Sequence, residues 1–399
     1  MKILVTGAGG FIGKNLIATL KTFGHEVFEY HHAAGLEALE KFCRDCEFVF
    51  HLAGVNRPET VEEFAAGNTH FTAELVNFLE RADNFCPIAF ASSIQVELNN
   101  PYGQSKLAAE KILRAHGEKT SARILIYRLP NVFGKWCRPN YNSAIATFCF
   151  NAARGLPLKV NDPAREMHLV YIDDVVKEFI RVLDGEEPQD IPSFKKNLRE
   201  LAELIQSFST IRENLSIPDQ RDELTSKLFS MYQSYLPEEN FSYALKMHKD
   251  ERGSFSEFIR TDGQGQFSAN VIKPHVTKGN HWHHSKHEKF LVVAGEGVIR
   301  FRQIFSDKIF EYKVSGERHE VVDIPPGYTH SIENTGETDM TVFIWANENF
   351  NPAAPDTYFL KVNDTPSQVD GGGIYNYLLK KFLLAAILIV QAVQGGEHL

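Results

Sequence analysis

Residues 2–23 read KILVTGAGGFIGKNLIATLKTF. Residues 2–6 have the apolar character of a short buried strand, and residues 11–23 set Leu16 and Leu20 on one face of a helix. Between them stand Gly7, Gly10 and Gly13. Glycines at such a junction tighten the turn and let backbone N–H groups at the helix start approach a pyrophosphate. Their place at the first strand-to-helix junction makes nucleotide binding the expected reading; the alternative is a tight turn without a ligand. Strand-like runs at 25–30, 48–53, 88–92 and 124–127 alternate with helical patterns. That rhythm predicts an α/β unit, a doubly wound parallel sheet with helices on both faces.

The rhythm stops near residue 184. Residues 184–192 are acidic with two prolines and read as a loop, and residues 195–235 read as helical. Short β-rich segments follow at 267–272, 289–293, 298–302, 321–324 and 341–345, separated by turn residues. This texture predicts a sandwich or barrel. The expected organisation is a nucleotide-binding domain over 1–243, an all-β domain over 244–362 and a tail over 363–399 with Gly371-Gly372-Gly373 as a hinge. Residues 382–390 are wholly apolar, but nine residues are about half of what a membrane-crossing helix needs, so no integral span is expected.

The chain has 399 residues, 43% of them hydrophobic, enough for full cores at roughly 150 residues per domain. Disorder is excluded as a description of the whole. A net charge of −9 offers no basic surface for nucleic acid. Five cysteines are too few for a disulfide scaffold and fit a reducing, cytoplasmic setting. The first ten residues lack the apolar core of a signal peptide. Cys43-x-x-Cys46 falls at a helix end before a strand, where a packing role is expected rather than a redox one.

Dinucleotide folds often carry an acid for the ribose about 20 residues past the glycines. Here the second strand ends Phe28-Glu29-Tyr30-His31-His32, and Glu29 comes too early. A 2′-phosphate would meet no repulsion, which favours NADPH over NADH. Tyr102 and Lys106 stand four apart, on one helix face. An ammonium beside a phenol stabilises phenolate and makes the tyrosine a usable acid and base. Ser92-Ser93 closes the preceding strand and offers a third hydrogen bond.

These features resemble the extended short-chain dehydrogenase/reductase family. The matching pieces are Thr6-Gly7-x-x-Gly10-x-x-Gly13, His51-Leu52-Ala53-Gly54, Ser92-Ser93, Pro101-Tyr102-x-x-x-Lys106, Arg128-x-x-Asn131-x-Phe133-Gly134 and Tyr171-Ile172-Asp173-Asp174-Val175. The resemblance implies Tyr102 as acid and base, Lys106 as its partner on the nicotinamide ribose and Ser93 as ligand of the substrate carbonyl. It implies Gly7, Gly10, Phe11, Ile12, Gly13, His31 and Leu52 around the cofactor, and a nucleotide sugar with Asn131 near its diphosphate. Arg128 reads equally well as a structural ion-pair residue. Ile94-Gln95 after Ser93 lacks the acidic pair of a dehydratase.

In the second half, His281-x-His283-x4-Glu288-x6-Gly295 precedes Pro325-x-Gly327-x2-His330-x3-Asn334. Alternate strand residues point the same way, so His281 and His283 converge, and neighbouring strands bring Glu288 and His330. Three imidazoles and a carboxylate suit a divalent transition metal. His284 and His287 read as bystanders. The two motifs resemble those of the cupins, which implies a small jelly roll; Gly316 lies farther before Pro325 than the pattern has it. Residues 250–257, DERGSFSE, resemble the signature of cupin-fold sugar-nucleotide 3,5-epimerases. That likeness implies Arg252 and Glu257 as holders of the nucleotide sugar and Lys289 as stabiliser of an enolate. It leaves His281 with two roles, ligand or base, of which the added His283 and Glu288 favour ligand.

The whole, over about residues 1–362, resembles a family of bifunctional enzymes of capsular polysaccharide synthesis. The resemblance implies a cytoplasmic, zinc-containing homodimer acting on a UDP-sugar. The cupin would epimerise carbon 3 of a UDP-4-keto-6-deoxy-2-acetamido sugar, and the reductase would then reduce the 4-ketone with NADPH to a 2-acetamido-2,6-dideoxy-L-talose-type product. The alternatives are a simple 4-ketoreductase whose cupin is structural or substrate-binding, and a nucleotide-gated sensor.

Overall fold

The computed structural model describes residues 1–261, 263 and 265–364. The apolar run 382–390 and the glycine hinge 371–373 lie outside the described residues. Contacts divide the chain into one unit of Met1–Ile211 with Pro218–Ser242, and another of Arg212–Ile217 with the chain from Tyr243 onward.

The first unit runs β1 (Lys2–Thr6), α1 (Phe11–Thr22), β2 (Glu26–Tyr30), α2 (Gly35–Asp45), β3 (Phe48–His51), α3 (Glu62–Phe64), α4 (Phe71–Arg81), β4 (Ile88–Ser93), α5 (Pro101–Thr120), β5 (Ile124–Leu129), β6 (Asn131–Phe133), α6 (Ala144–Ala152), β7 (Glu166–Tyr171), α7 (Ile172–Leu183), β8 (Ser193–Asn197), α8 (Leu198–Ser207) and α10 (Glu223–Gln233), with the short α9 (Ile211–Asn214) at its margin. Five strands form a parallel sheet in the order β2-β1-β3-β4-β5. Successive side chains on its strands face opposite ways, and both faces are apolar. Ile3, Val5, Phe48 and Phe50 join the core that holds α1 and α7, while Leu4, Val49 and Phe90 join the core of α2, α4 and α5. This is the expected doubly wound sheet. A second sheet, β6-β7-β8, adds an antiparallel strand at Ser193–Asn197, the start of the segment read as helical. Pairing with β7 overrides the polar character of that stretch.

The end of β4 and helix α5 are fixed to each other by a buried carboxylate. Glu110 of α5 accepts from the Ser92 hydroxyl (2.6 Å) and from Arg128 Nε and Nη2 (3.0 and 2.8 Å). Arg128 is thus an ion-pair residue of the scaffold. All five cysteines are free. Cys43 and Cys46 close α2, and Asn84 donates to both their carbonyls (2.8 and 2.7 Å). Burial pushes the Cys43 thiol up, away from the thiolate form that reacts.

The second unit runs β9 (His248–Asp250), β10 (Gly253–Thr261), β11 (Gly265–Ile272), β12 (Thr277–Trp282), β13 (Glu288–Ala294), β14 (Glu296–Gln303), β15 (Ile309–Ser315), β16 (Val321–Ile324), β17 (Tyr328–Asn334), β18 (Met340–Ala346) and β19 (Tyr358–Phe359). Two antiparallel sheets, β16-β13-β18-β11-β10-β9 and β15-β14-β17-β12-β19, make an all-β jelly roll of cupin type. Ile272, Phe290, Val292, Ile299, Ile332 and Val342 belong to its core. Residues 212–217 join this unit, with Ser216 bridged to Arg260. Fully buried Arg302 of β14 donates to the carbonyls of Val362 and Lys361, which fastens the segment after β19, and to that of Ser306.

Glu110→Gln removes the charge opposite Arg128. It is expected to cost on the order of 2 kcal/mol, less than a fully buried pair because Arg128 is partly exposed. A denaturation midpoint unchanged from the parent protein would contradict this role.

Candidate functional site

In the first unit the glycine turn is set by close approach. A methyl group on Gly13 would stand 2.4 Å from the Gly7 carbonyl oxygen. The start of α1 at Gly10 has no side-chain cap, so its first N–H groups are open to an anion. Phe11, Ile12 and Leu52 are half-buried against the core beside this turn. His31, just past β2, stands over the loop: its Nδ1 lies 3.1 Å from where a methyl on Gly9 would be. Glu29 is paired with Lys21 of α1 at 2.6 Å.

Helix α5 opens with Asn100, whose side chain accepts from Gly103 N (2.8 Å), followed by Pro101 in the first turn. A methyl on Gly103 would collide with the Gln95 carbonyl at 2.0 Å, so only glycine lets this turn close on the residues after β4. Tyr102 is thereby brought toward Ser93. Burial raises the Tyr102 phenol above its ordinary range, with Ser93 pulling the other way. Lys106 departs from the expectation. Its ammonium donates to the Ala91 carbonyl (2.9 Å) and lies 4.6 Å from the Phe90 ring centre. The lowering influence on the phenol comes from Ser93. Burial pulls Lys106 itself down to about 8, against the pull of Glu110.

A buried chain of hydrogen bonds, not evident from the motifs, joins the glycine turn to this helix. Thr6 Oγ1 meets His51 Nδ1 (2.8 Å), and His51 Nε2 meets Thr72 Oγ1 (2.8 Å). Thr72 donates to the Asn68 carbonyl (2.6 Å). Asn68 accepts from Val55 N and donates to the Val55 carbonyl and Ser105 Oγ. Ser105 in turn donates to the Tyr102 carbonyl (2.8 Å). Asn68 lies in a π-helical stretch, Ala65–His70, a feature frequent at functional sites. Asn131 stands apart at the surface, its amide donating to the His168 carbonyl (3.0 Å).

In the second unit His281, His283, Glu288 and His330 converge, one ligand atom from each lying within 4.8 Å of all the others. His281 and His330 are register partners on β12 and β17, and Glu288 comes from β13 of the other sheet. His283 Nε2 and both ring nitrogens of His330 are buried with no hydrogen-bond partner. Glu288 Oε2 stands 3.6 Å from His283 Nε2 and from His330 Nε2. Burial draws His281 down to about 4 and His330 to about 3, so both are neutral. Burial raises Glu288, but His283, Lys286 and His330 outweigh it and hold the carboxyl at about 2. The neutral His281 and His330 rings, the ionised Glu288 carboxylate and the orphaned nitrogens fit a divalent metal.

The loop before β19 supports this cluster. The Asp356 carbonyl is hydrogen-bonded by His283 Nδ1, which leaves Nε2 as the donor atom. The Asp356 carboxylate accepts from the backbone N–H groups of His284, Ser285 and Lys286, each at 2.8 Å, and these bonds hold it ionised. A cavity of about 340 Å³ opens on the cluster and is lined by Glu257, Lys278, Lys286 and Glu348 among others. Glu257 is paired with Arg260 (3.0 Å). Arg252 pairs with Asp250 and lines a neighbouring cavity of about 270 Å³ with Lys249 and Lys278. Lys289 does not reach the site. It follows Glu288 on one strand, so it faces the opposite way, is exposed, and pairs with Asp323 at 2.5 Å. Lys278 and Lys286 are the lysines that line the cavity.

A Rossmann unit with a serine–tyrosine pair, joined to a jelly roll with a metal-type donor set, defines a two-unit nucleotide-dependent oxidoreductase of cupin-fused type. Residues 3–192 match the NAD dependent epimerase/dehydratase family, and residues 248–358 match the polysaccharide biosynthesis C-terminal domain. The UDP-2-acetamido-2,6-beta-L-arabino-hexul-4-ose reductase of Pseudomonas aeruginosa is 45% identical over 370 residues, covering 91% of this chain and all of that one. The capsular polysaccharide assembling protein CapF from Staphylococcus aureus is 49% identical, with a TM-score of 0.86 over 91% of this chain and 100% of its own. A structure of CapF with the inhibitor 3-isopropenyl-tropolone is 44% identical, with a TM-score of 0.80 over the same shares. The chain belongs to the CapF family. No helix among the described residues is long and apolar enough to cross a membrane.

Two outcomes follow from this geometry. Lys106→Met relieves the burial of an ammonium, so its stability relative to the parent is greatest below pH 8. The advantage fades toward pH 10.5, where the unfolded lysine also loses its proton. Thermal melts of both proteins across that window check the sign. Asp356→Ala releases the turn after His283 and is expected to weaken metal binding about 10- to 100-fold. Titration against a chromophoric chelator measures it, and an unaltered affinity would remove Asp356 from the support of the site.

Proposed function

We propose that the chain is a bifunctional nucleotide-sugar enzyme. The cupin-type unit epimerises carbon 3 of a UDP-4-keto-6-deoxy-2-acetamido sugar. The Rossmann unit then reduces the 4-ketone with NADPH to a UDP-2-acetamido-2,6-dideoxy-L-talose-type product for capsule or O-antigen synthesis. The observation that carries this is the convergence of His281, His283, Glu288 and His330 on a cavity, in a chain that also carries the Ser93–Tyr102 pair. The Pseudomonas relative, named as a reductase of a UDP-linked 2-acetamido hexul-4-ose, supports the substrate class. The tropolone in a relative's structure supports the metal, since adjacent oxygens of that ring chelate divalent ions.

The order follows from the chemistry. A ketone at carbon 4 acidifies the C–H at carbon 3, so epimerisation precedes reduction. His281, His283, Glu288 and His330 would hold a divalent metal, zinc by the donor types, and it would supply Lewis-acid polarisation of the ketone. In the Rossmann unit Ser93 holds the carbonyl oxygen, and Tyr102 gives its proton to that oxygen as hydride reaches carbon 4. The phenol holds its proton at neutral pH, so it carries the proton that this step delivers. With Glu29 bound to Lys21 and His31 over the glycine turn, no strand-end carboxylate opposes a 2′-phosphate, which favours NADPH. We expect the working form to be a cytoplasmic homodimer.

The test places the substrate ketone in heavy water with the protein and no nicotinamide, follows deuterium at carbon 3 by NMR, and then adds NADPH. The expected result is exchange at carbon 3 first, then loss of the ketone with NADPH oxidation. Oxidation without prior exchange would leave a simple 4-ketoreductase with a structural or binding cupin.

A further inference from the structure

We propose that Lys278 is the proton-transferring residue of the cupin-type unit, the base that takes the carbon-3 proton. This rests on the epimerase reading above. Lys278 lies on β12, the strand that carries His281, and its side chain lines the metal-type cavity and the neighbouring cavity of Arg252. Its ammonium donates to Asn270 Oδ1 (2.8 Å) and the Val271 carbonyl (3.1 Å), two neutral oxygens.

The other ionisable groups lining the cavity are committed elsewhere. His281, Glu288 and His330 belong to the ligand set. Glu257 is paired with Arg260, Lys286 lies beside Glu288, and Asp356 is held by three amides. Glu348 is exposed to solvent. Lys289, expected near the enolate, faces the other side of its strand. Lys278 remains, half-buried in the wall. Burial lowers its ammonium pKa; Asp250 opposes and Arg252 reinforces the shift. That direction increases the share of neutral amine, the form able to accept a proton.

The step balances without any further reactant. The neutral amine removes the carbon-3 proton, the C–H pair becomes a carbon 3–carbon 4 double bond, and the carbonyl pair moves onto oxygen. Water on the opposite face returns a proton to carbon 3 as the double bond reverts to the ketone, and the Lys278 ammonium releases its proton to solvent.

The experiment measures deuterium entry at carbon 3, without nicotinamide, for the parent protein, K278Q, K278R and E348Q, with metal content determined for each. A general base contributes about 10²- to 10⁴-fold, so K278Q is expected to lose at least about 100-fold in exchange at unchanged metal content. K278R keeps a cation but cannot act as a base near neutrality, so it is expected to be equally slow. Ketone epimerised by a Y102F variant, which cannot reduce it, should be reduced by K278Q at the parent rate. Exchange retained in K278Q or restored in K278R overturns the assignment alone, as does loss in E348Q with retention in K278Q. Absence of exchange in the parent protein overturns the epimerase reading, and this assignment with it.

Discussion

Buried imidazole nitrogens without partners are the constraint around which the second unit is arranged. Leaving such groups unsatisfied costs about 1–3 kcal/mol each. His283 Nε2 and both nitrogens of His330 are in that condition, and Glu288 is buried against them. A fold tolerates such a cluster when something outside the chain completes it. The two sheets share the burden: β12 and β17 present His281 and His330 in register, and β13 brings the carboxylate from the facing sheet. The Asp356 turn then fixes which nitrogen of His283 is left free.

The first unit solves a different problem, the linkage of the glycine turn to helix α5. Its answer is a chain of hydrogen bonds from Thr6 through His51 and Thr72 to the Asn68 carbonyl, and from the Asn68 amide through Ser105 to the carbonyl of Tyr102. Each member is satisfied, which makes a buried polar network specific rather than costly. Burial draws His51 down to about 3, so the ring stays neutral and bridges two hydroxyls. The π-helical turn at Ala65–His70 brings Asn68 to Val55 and Ser105 together.

Much of this was legible in the chain, and the limits have physical causes. The glycine turn and the approach of His281 and His283 follow from local spacing, which strands and helices translate directly into direction; His330 comes from the neighbouring strand β17 as expected, whereas Glu288, expected from a neighbouring strand, comes from the other sheet. Lys289 was misread because its neighbour Glu288 faces inward, and on a strand adjacent side chains must diverge. No role was read for Lys278 itself, and its strand shifts register between Gly279 and His281. Asp356 lies about 70 residues from the turn it holds, a distance no local pattern spans. The strand Ser193–Asn197 and the excursion 212–217 are likewise set by partners remote in sequence.

One physical effect tunes both units. Burial penalises charge, so it raises acids and lowers bases. In the Rossmann unit it keeps the Tyr102 phenol protonated and brings Lys106 to about 8. In the jelly roll it keeps His281 and His330 neutral, in the state that binds metal, while the His283 side chain and the Lys286 ammonium hold Glu288 ionised. A reductive site needs a proton donor at rest, and a metal site needs unprotonated donors at rest. The same desolvation supplies both because the residue types differ: a phenol in one place, imidazoles in the other. The chemistry is therefore divided by which ionisable group each fold buries, and an exposed lysine such as Lys289, paired with Asp323 on the outer face, has no share in it.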